Sequence, residues 1–210
     1  DINFAAKEDL IHLIGKDVDD VFINAAVKNG SLKVNTAASR ENLSVVFTAL
    51  HGTSITAVPE TLKRAGYTNV HLVEEQSVPD GDFPTVKSPN PEEPEALKMA
   101  LELAENVGAD IVIGTDPDCD RLGIAVRDYD NNMVMLNGNQ TMIMMTKFLL
   151  DLWDNSGSIN GNQFVGSTIV SSPMIIKLVE AYNVECKIGL TGFKWIAKMI
   201  KDFPGMDFIG

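Results

Sequence analysis

Asp110-Ile-Val-Ile-Gly-Thr115, then Asp116-Pro-Asp118-Cys-Asp120-Arg121, then Leu122-Gly-Ile-Ala-Val126: this stretch decides how the chain is read. The two flanking runs are short, apolar and rich in β-branched residues, which marks buried strands rather than helix. Between them stand three carboxylates at alternate positions. Packed beside an apolar strand, three like charges repel one another unless a cation compensates them. Their oxygens are the hard ligands that Mg²⁺ or Ca²⁺ takes. A loop just after a strand is also where open α/β sheets place ligands. Arg121 adds a fork of donors suited to phosphate.

Other motifs that begin Asp-x-Asp-x-Asp fit less well. An EF-hand loop needs Gly at its sixth position and Glu at its twelfth, and this chain has Arg121 and Arg127 there. The haloacid-dehalogenase-like phosphatases, with Asp116 as nucleophile, would need Thr or Val where Asp120 stands. A solvated acidic turn is the bland alternative.

Working outward, Leu43-Ser-Val-Val-Phe-Thr-Ala-Leu50 reads as a buried strand that turns at His51-Gly52-Thr53. That turn is either a structural one or a set of backbone N–H groups offered to an anion. A helix over 55–64, a strand over 70–73 and a long connection over 76–95 follow, and then a helix begins near Pro94 and stops at Gly108. Upstream, Leu10, Ile11, Leu13, Ile14, Val18, Val21, Phe22 and Ala25 carry helical spacing through residues 1–30, and polar residues 31–42 connect. Downstream, helices over 140–153, 174–182 and 193–201 alternate with strands over 164–170 and 184–188. The expected fold class is therefore α/β: two consecutive α/β domains with mainly parallel mixed sheets, at 1–132 (with residues 1 to about 40 as a helical lead-in) and 133–210.

Composition narrows the function. A net charge of −12 and a pI near 4.6 exclude a nucleic-acid surface or a polybasic membrane face, both of which need clustered Lys and Arg. No run approaches the ~20 apolar residues of a membrane span. Two cysteines, Cys119 and Cys186, make no disulfide framework, so a cytoplasmic location is expected. The chain opens at Asp1 and closes on Met206-Asp-Phe-Ile-Gly210, which reads as a strand just beginning. An internal piece of a longer polypeptide is expected.

The Asp-x-Asp-x-Asp-Arg loop resembles that of the α-D-phosphohexomutases, in the phosphoglucomutase and phosphomannomutase branch that also includes phosphopentomutases. Three further segments carry the resemblance in the same order: Phe83-Pro-Thr-Val-Lys-Ser-Pro-Asn-Pro-Glu-Glu93, Leu136-Asn-Gly-Asn-Gln140 and Leu190-Thr-Gly-Phe-Lys-Trp-Ile196. Together they span most of the chain. The resemblance implies that Asp116, Asp118 and Asp120 are the ligands of Mg²⁺ and that Arg121 stands near the transferring phosphoryl group. It implies that Thr191, Gly192 and Lys194 border the phosphate of a phosphosugar substrate.

The activity implied is interconversion of hexose 1-phosphate and 6-phosphate through a phosphoserine, with a hexose 1,6-bisphosphate as intermediate and activator. The family's phosphoserine loop would precede residue 1. Thr36-Ala-Ala-Ser39-Arg40 lacks the following His-Asn and is rejected as that loop. The sugar-specificity loop and a C-terminal phosphate-binding domain would follow Gly210, so domains 1 and 4 are missing and the piece alone is expected to turn over nothing. A non-catalytic metal- or phosphosugar-binding module is the alternative from another class, and phosphopentomutase the alternative among enzymes.

Overall fold

The computed structural model describes residues 7–31 and 36–210. It divides between Met135 and Leu136 into two compact units.

In the first unit, five strands lie in the order β2-β1-β3-β4-β5: β1 (Val45–Thr48), β2 (Val70–Leu72), β3 (Ile111–Thr115), β4 (Leu122–Arg127) and β5 (Met133–Leu136). β1 pairs parallel with β2 and β3, and β3 pairs antiparallel with β4. Every residue of β1 is buried, the pattern of a strand covered on both faces. The helices are α1 (Lys16–Gly30), α2 (Ala37–Asn42), α3 (Val58–Arg64) and α4 (Lys98–Val107). The apolar side of α4, through Ala100 and Ala104, closes over Val46, Val112 and Ala125 to form the core. Pro59 sits in the first turn of α3, where its missing N–H costs nothing.

Gly114 and Gly123 face each other across β3 and β4. A methyl group at Gly123 would lie 2.1 Å from the Pro91 carbonyl oxygen, and one at Gly114 would lie 2.5 Å from Leu97 Cδ2. Bare Gly123 is what lets the long connection lie against the sheet beside the acidic loop, and bare Gly114 is what admits Leu97 at the start of α4.

Three expectations change. Helical structure was expected through 1–30, but α1 begins only at Lys16, and residues 1–6 lie outside the described residues. Leu10, Ile11, Leu13 and Ile14 are exposed, and a helix whose apolar face packs on nothing lacks the main source of its stability. The polar stretch 31–42 holds the short helix α2, where Arg40 reaches the Ala65 carbonyl at the end of α3. β5, placed in the second unit by the sequence, is the edge strand of the first sheet, with Met133 and Met135 packed on the first core.

The second unit holds α5 (Gly138–Asn155), β6 (Gln163–Thr168), α6 (Met174–Glu180), β7 (Glu185–Gly189), α7 (Phe193–Asp202) and β8 (Asp207–Phe208). Its sheet runs β7-β6-β8, parallel throughout. Asn137 and Gln140 form a reciprocal capping box: Asn137 Oδ1 accepts from the Gln140 N–H at 3.0 Å, and Gln140 Oε1 from the Asn137 N–H at 2.9 Å. Leu150, Val165, Ile175, Val179, Val184 and Ile209 form its core. Among the described residues no helix is long and apolar enough to cross a membrane.

Candidate metal centre

The acidic loop is a hairpin tip. β3 ends at Thr115, which is paired with Leu122 at the start of β4, so residues 116–121 must turn back within six positions. The Cys119 N–H donates to the Asp116 carbonyl at 3.1 Å, and Cys119 takes a positive φ of 65°. One carboxylate oxygen from each of Asp116, Asp118 and Asp120 lies within 4.8 Å of the other two. Oxygens around a single cation bonded at 2.0–2.6 Å stand at most about 4–5 Å apart, so the donor set fits one hard divalent ion.

The three carboxylates are not equivalent. Asp116 is 1% exposed, whereas Asp120 is 73% exposed. Burial by itself would raise the Asp116 pKa, but the Arg121 backbone N–H and then its guanidinium outweigh burial and hold the group below the usual carboxylate range. The two bonds are Arg121 N to Oδ1 at 2.9 Å and Arg121 Nε to Oδ2 at 2.8 Å. Each oxygen keeps a second lone pair for a metal. Asp120 is pushed up, first by the adjoining Asp116 carboxylate and then by Asp118. Such crowding is what a bound cation relieves.

With both oxygens engaged and almost no exposed surface, Asp116 is poorly placed to attack a phosphorus atom. A ligand role suits it better than that of a phosphatase nucleophile.

Beside this loop lies the turn after β1. The sequence left open whether its N–H groups could cradle an anion, and the structure shows all three in use. His51 N donates to the Gln76 carbonyl at 3.0 Å, Gly52 N to the Ala49 carbonyl at 2.8 Å and Thr53 N to the Pro117 carbonyl at 3.0 Å. The His51 side chain is buried as well. Its Nδ1 faces the Val78 carbonyl at 3.1 Å, which can only accept, so Nδ1 carries the proton and Nε2 accepts from Thr85 Oγ1 at 2.9 Å. Thr85 Oγ1 in turn accepts from Gln76 Nε2, whose own oxygen accepts from Thr48 Oγ1 at 2.6 Å. The turn is a closed polar network that holds the end of β1 rigid.

In the second unit, Thr191 and Gly192 link β7 to α7, beyond the carboxyl end of a parallel strand. Gly192 has φ 116° and its carbonyl accepts from the Trp195 N–H. Thr191, Gly192 and Lys194 are all exposed, with Lys194 Nζ 5.5 Å from the centre of the Trp195 ring. The structure thus gathers Asp116, Asp118, Asp120 and Arg121 in one loop, and Thr191, Gly192 and Lys194 in another at the start of a helix.

Known proteins agree with this division. The family described as "Phosphoglucomutase/phosphomannomutase, alpha/beta/alpha domain II" matches residues 20–130, and the corresponding domain III matches residues 137–208. A phosphoglucomutase of Staphylococcus epidermidis is 37% identical over 205 residues, which is 97% of this chain and 36% of that protein. The chain therefore spans about a third of the length of that relative. A phosphoglucomutase/phosphomannomutase family protein of Burkholderia thailandensis shares the fold at 19% identity, with TM-score 0.68 over 90% of this chain and 36% of the other. An Aspergillus fumigatus N-acetylphosphoglucosamine mutase, solved with GlcNAc-6P and magnesium, shares it at 14% identity, with TM-score 0.61 over 90% of this chain and 38% of the other. The chain belongs to the phosphoglucomutase/phosphomannomutase family and carries its α/β/α domains II and III.

Proposed function

We propose that this chain is the metal-binding and sugar-phosphate-binding middle of a phosphosugar mutase that interconverts hexose 1-phosphate and 6-phosphate. The observation that carries the reading is the convergence of Asp116, Asp118 and Asp120 within 4.8 Å, with Asp116 held ionised by Arg121. The three carboxylates would hold Mg²⁺, which supplies charge neutralisation at phosphoryl oxygens during transfer. The magnesium in the Aspergillus mutase supports that choice of ion. Arg121, half exposed on the loop, offers its remaining guanidinium N–H groups to a phosphoryl oxygen. Thr191, Gly192 and Lys194 receive the sugar's non-reacting phosphate, where Lys194 supplies charge and the loop supplies backbone donors. On this reading the phosphoserine loop and a C-terminal phosphate-binding domain are supplied by parts of the whole protein other than this chain, which spans about a third of the relative's length. A hexose 1,6-bisphosphate is then the intermediate that reorients, and the whole protein works in the cytoplasm.

The test is turnover of glucose 1-phosphate by the full-length parent, with and without Mg²⁺, beside an Asp118→Asn variant. Mg²⁺-dependent formation of glucose 6-phosphate that collapses in the variant supports the reading. The 210-residue chain alone should form none. A folded parent inert toward glucose, mannose and ribose phosphates would instead make the chain a binding module.

A further inference from the structure

The geometry points to Thr53 as a positioning residue for the metal loop: its hydroxyl, with its N–H, pins the Pro117 carbonyl and so holds the ligands on either side of Pro117 in register. This rests on the reading of Asp116, Asp118 and Asp120 as metal ligands.

Pro117 lies between Asp116 and Asp118, and its carbonyl is gripped from outside the hairpin. Thr53 N donates to it at 3.0 Å and Thr53 Oγ1 at 3.1 Å. The same hydroxyl oxygen stands 3.5 Å from Cys119 Sγ, between Asp118 and Asp120. One threonine thus touches both spacer residues of the acidic triplet, sixty-odd positions away in sequence.

The approach is close because residue 52 has no side chain. A methyl group at Gly52 would sit 2.4 Å from Pro117 Cα and 2.7 Å from its carbonyl oxygen. Gly52 itself has φ −97°, so alanine is permitted there by its own backbone, and the obstacle is contact, first with Pro117 and then with the Ala49 carbonyl oxygen of the same turn at 2.8 Å. The turn that presents Thr53 is held firmly. Leu50 and His51 take positive φ values of 47° and 61°, and both are buried. Successive non-glycine residues in that region are costly and persist where the surroundings impose them; here the His51–Thr85–Gln76–Thr48 network does so. Rigidity runs from the β1 core to Thr53 and from Thr53 to the backbone between the ligands. A hairpin tip with two exposed carboxylates has no other such hold on its Asp118 side among the described residues.

Thr53 is exposed, so losing its hydroxyl should leave stability almost unchanged, whereas ligand geometry should suffer. The experiment uses this chain, with Mn²⁺ as the probe. Binding is followed by the electron paramagnetic resonance signal of free Mn²⁺, in wild type, Asp118→Asn, Thr53→Val, Thr53→Ser and Gly52→Ala. A second readout is the rate at which Cys119 reacts with a disulfide reagent in the absence of metal, scored by peptide mapping apart from Cys186.

Thr53→Val should weaken Asp118-dependent Mn²⁺ binding about threefold to tenfold, the share of one hydrogen bond, and speed labelling of Cys119. Thr53→Ser should restore both, and Gly52→Ala should weaken binding about tenfold or more, as a methyl wedge under the loop. Thr53→Val with wild-type affinity and wild-type labelling overturns the clamp while leaving the metal reading intact. Wild type that binds no Mn²⁺ through Asp118 overturns the metal reading, and the clamp's purpose with it.

Discussion

Replacing Gly123 by alanine tests whether the connection lies on the sheet beside the acidic loop. The added methyl would meet the Pro91 carbonyl oxygen at 2.1 Å, its carbonyl carbon at 2.7 Å and its Cβ at 2.9 Å. Ordinary van der Waals contact begins at 3.4 Å, so strand and connection must part by about 1.3 Å. Neither side yields easily. β4 is hydrogen-bonded to β3 along its length, and Pro91 is buried main chain rather than the tip of a flexible side chain. Overpacking of this kind costs about 1–3 kcal/mol, and contact with backbone puts this case at the upper end. The gain from stiffening the unfolded chain, about 0.4–1 kcal/mol, offsets part of it.

The expected net loss is therefore about 2 kcal/mol, or about 4–8 °C in melting temperature for a chain of this size. Far-UV circular dichroism melts would measure it, beside Gly81→Ala, where a methyl group meets nothing within 4 Å. The Gly81 variant should stay within about 0.5 kcal/mol of wild type. Because β4 begins directly after Arg121, Gly123→Ala should also weaken Asp118-dependent Mn²⁺ binding. If it melts with the Gly81 control, the packing of Pro91 on Gly123 is wrong.

Arg127 ties the end of α4 to the turn between β4 and β5, donating to the Ala109, Asn131 and Ala104 carbonyls at 2.7, 2.8 and 3.1 Å. Arg127→Met keeps the apolar stem and loses the fork, so it should cost about 2–4 kcal/mol in a urea titration, with Arg127→Lys recovering a part. In the second unit, Asp151 is held below the usual carboxylate range by Lys147 and then by Tyr182. A depressed carboxylate contributes stability that is present above its unfolded pKa and lost as pH falls through the folded one. Melts from pH 5 downward should therefore show wild type losing more stability below about pH 4 than Asp151→Asn does. Equal losses would count against the Lys147–Asp151–Tyr182 cluster.

Much of this protein could be read from short stretches of sequence. The spacing of Asp116, Asp118 and Asp120 after an apolar run placed the acidic loop at a strand end, because three alternate carboxylates and a β-branched run are local signals. The helix expected over 140–153 is α5, which starts two residues earlier at Gly138, where the Asn137–Gln140 cap fixes its first turn. The alternation of helices and strands gave the fold class. What escaped depended on residues distant in the chain. The helical spacing of Leu10 to Ile14 made no α-helix, only a single 3-10 turn over Glu8–Leu10, because periodicity says which face is apolar and not whether anything covers it. β5 joined the first sheet because a strand's partner is chosen by the edge available to it, which no local pattern records. The His51 turn could be seen as a turn, but its N–H groups and ring are claimed by residues from Ala49 to Pro117. The sequence alone determined which groups could bind a metal. Only the tertiary structure decided how they are held, because that hold comes from Thr53, on a neighbouring strand's turn, and hydrogen bonds across such distances exist only once the sheet has formed.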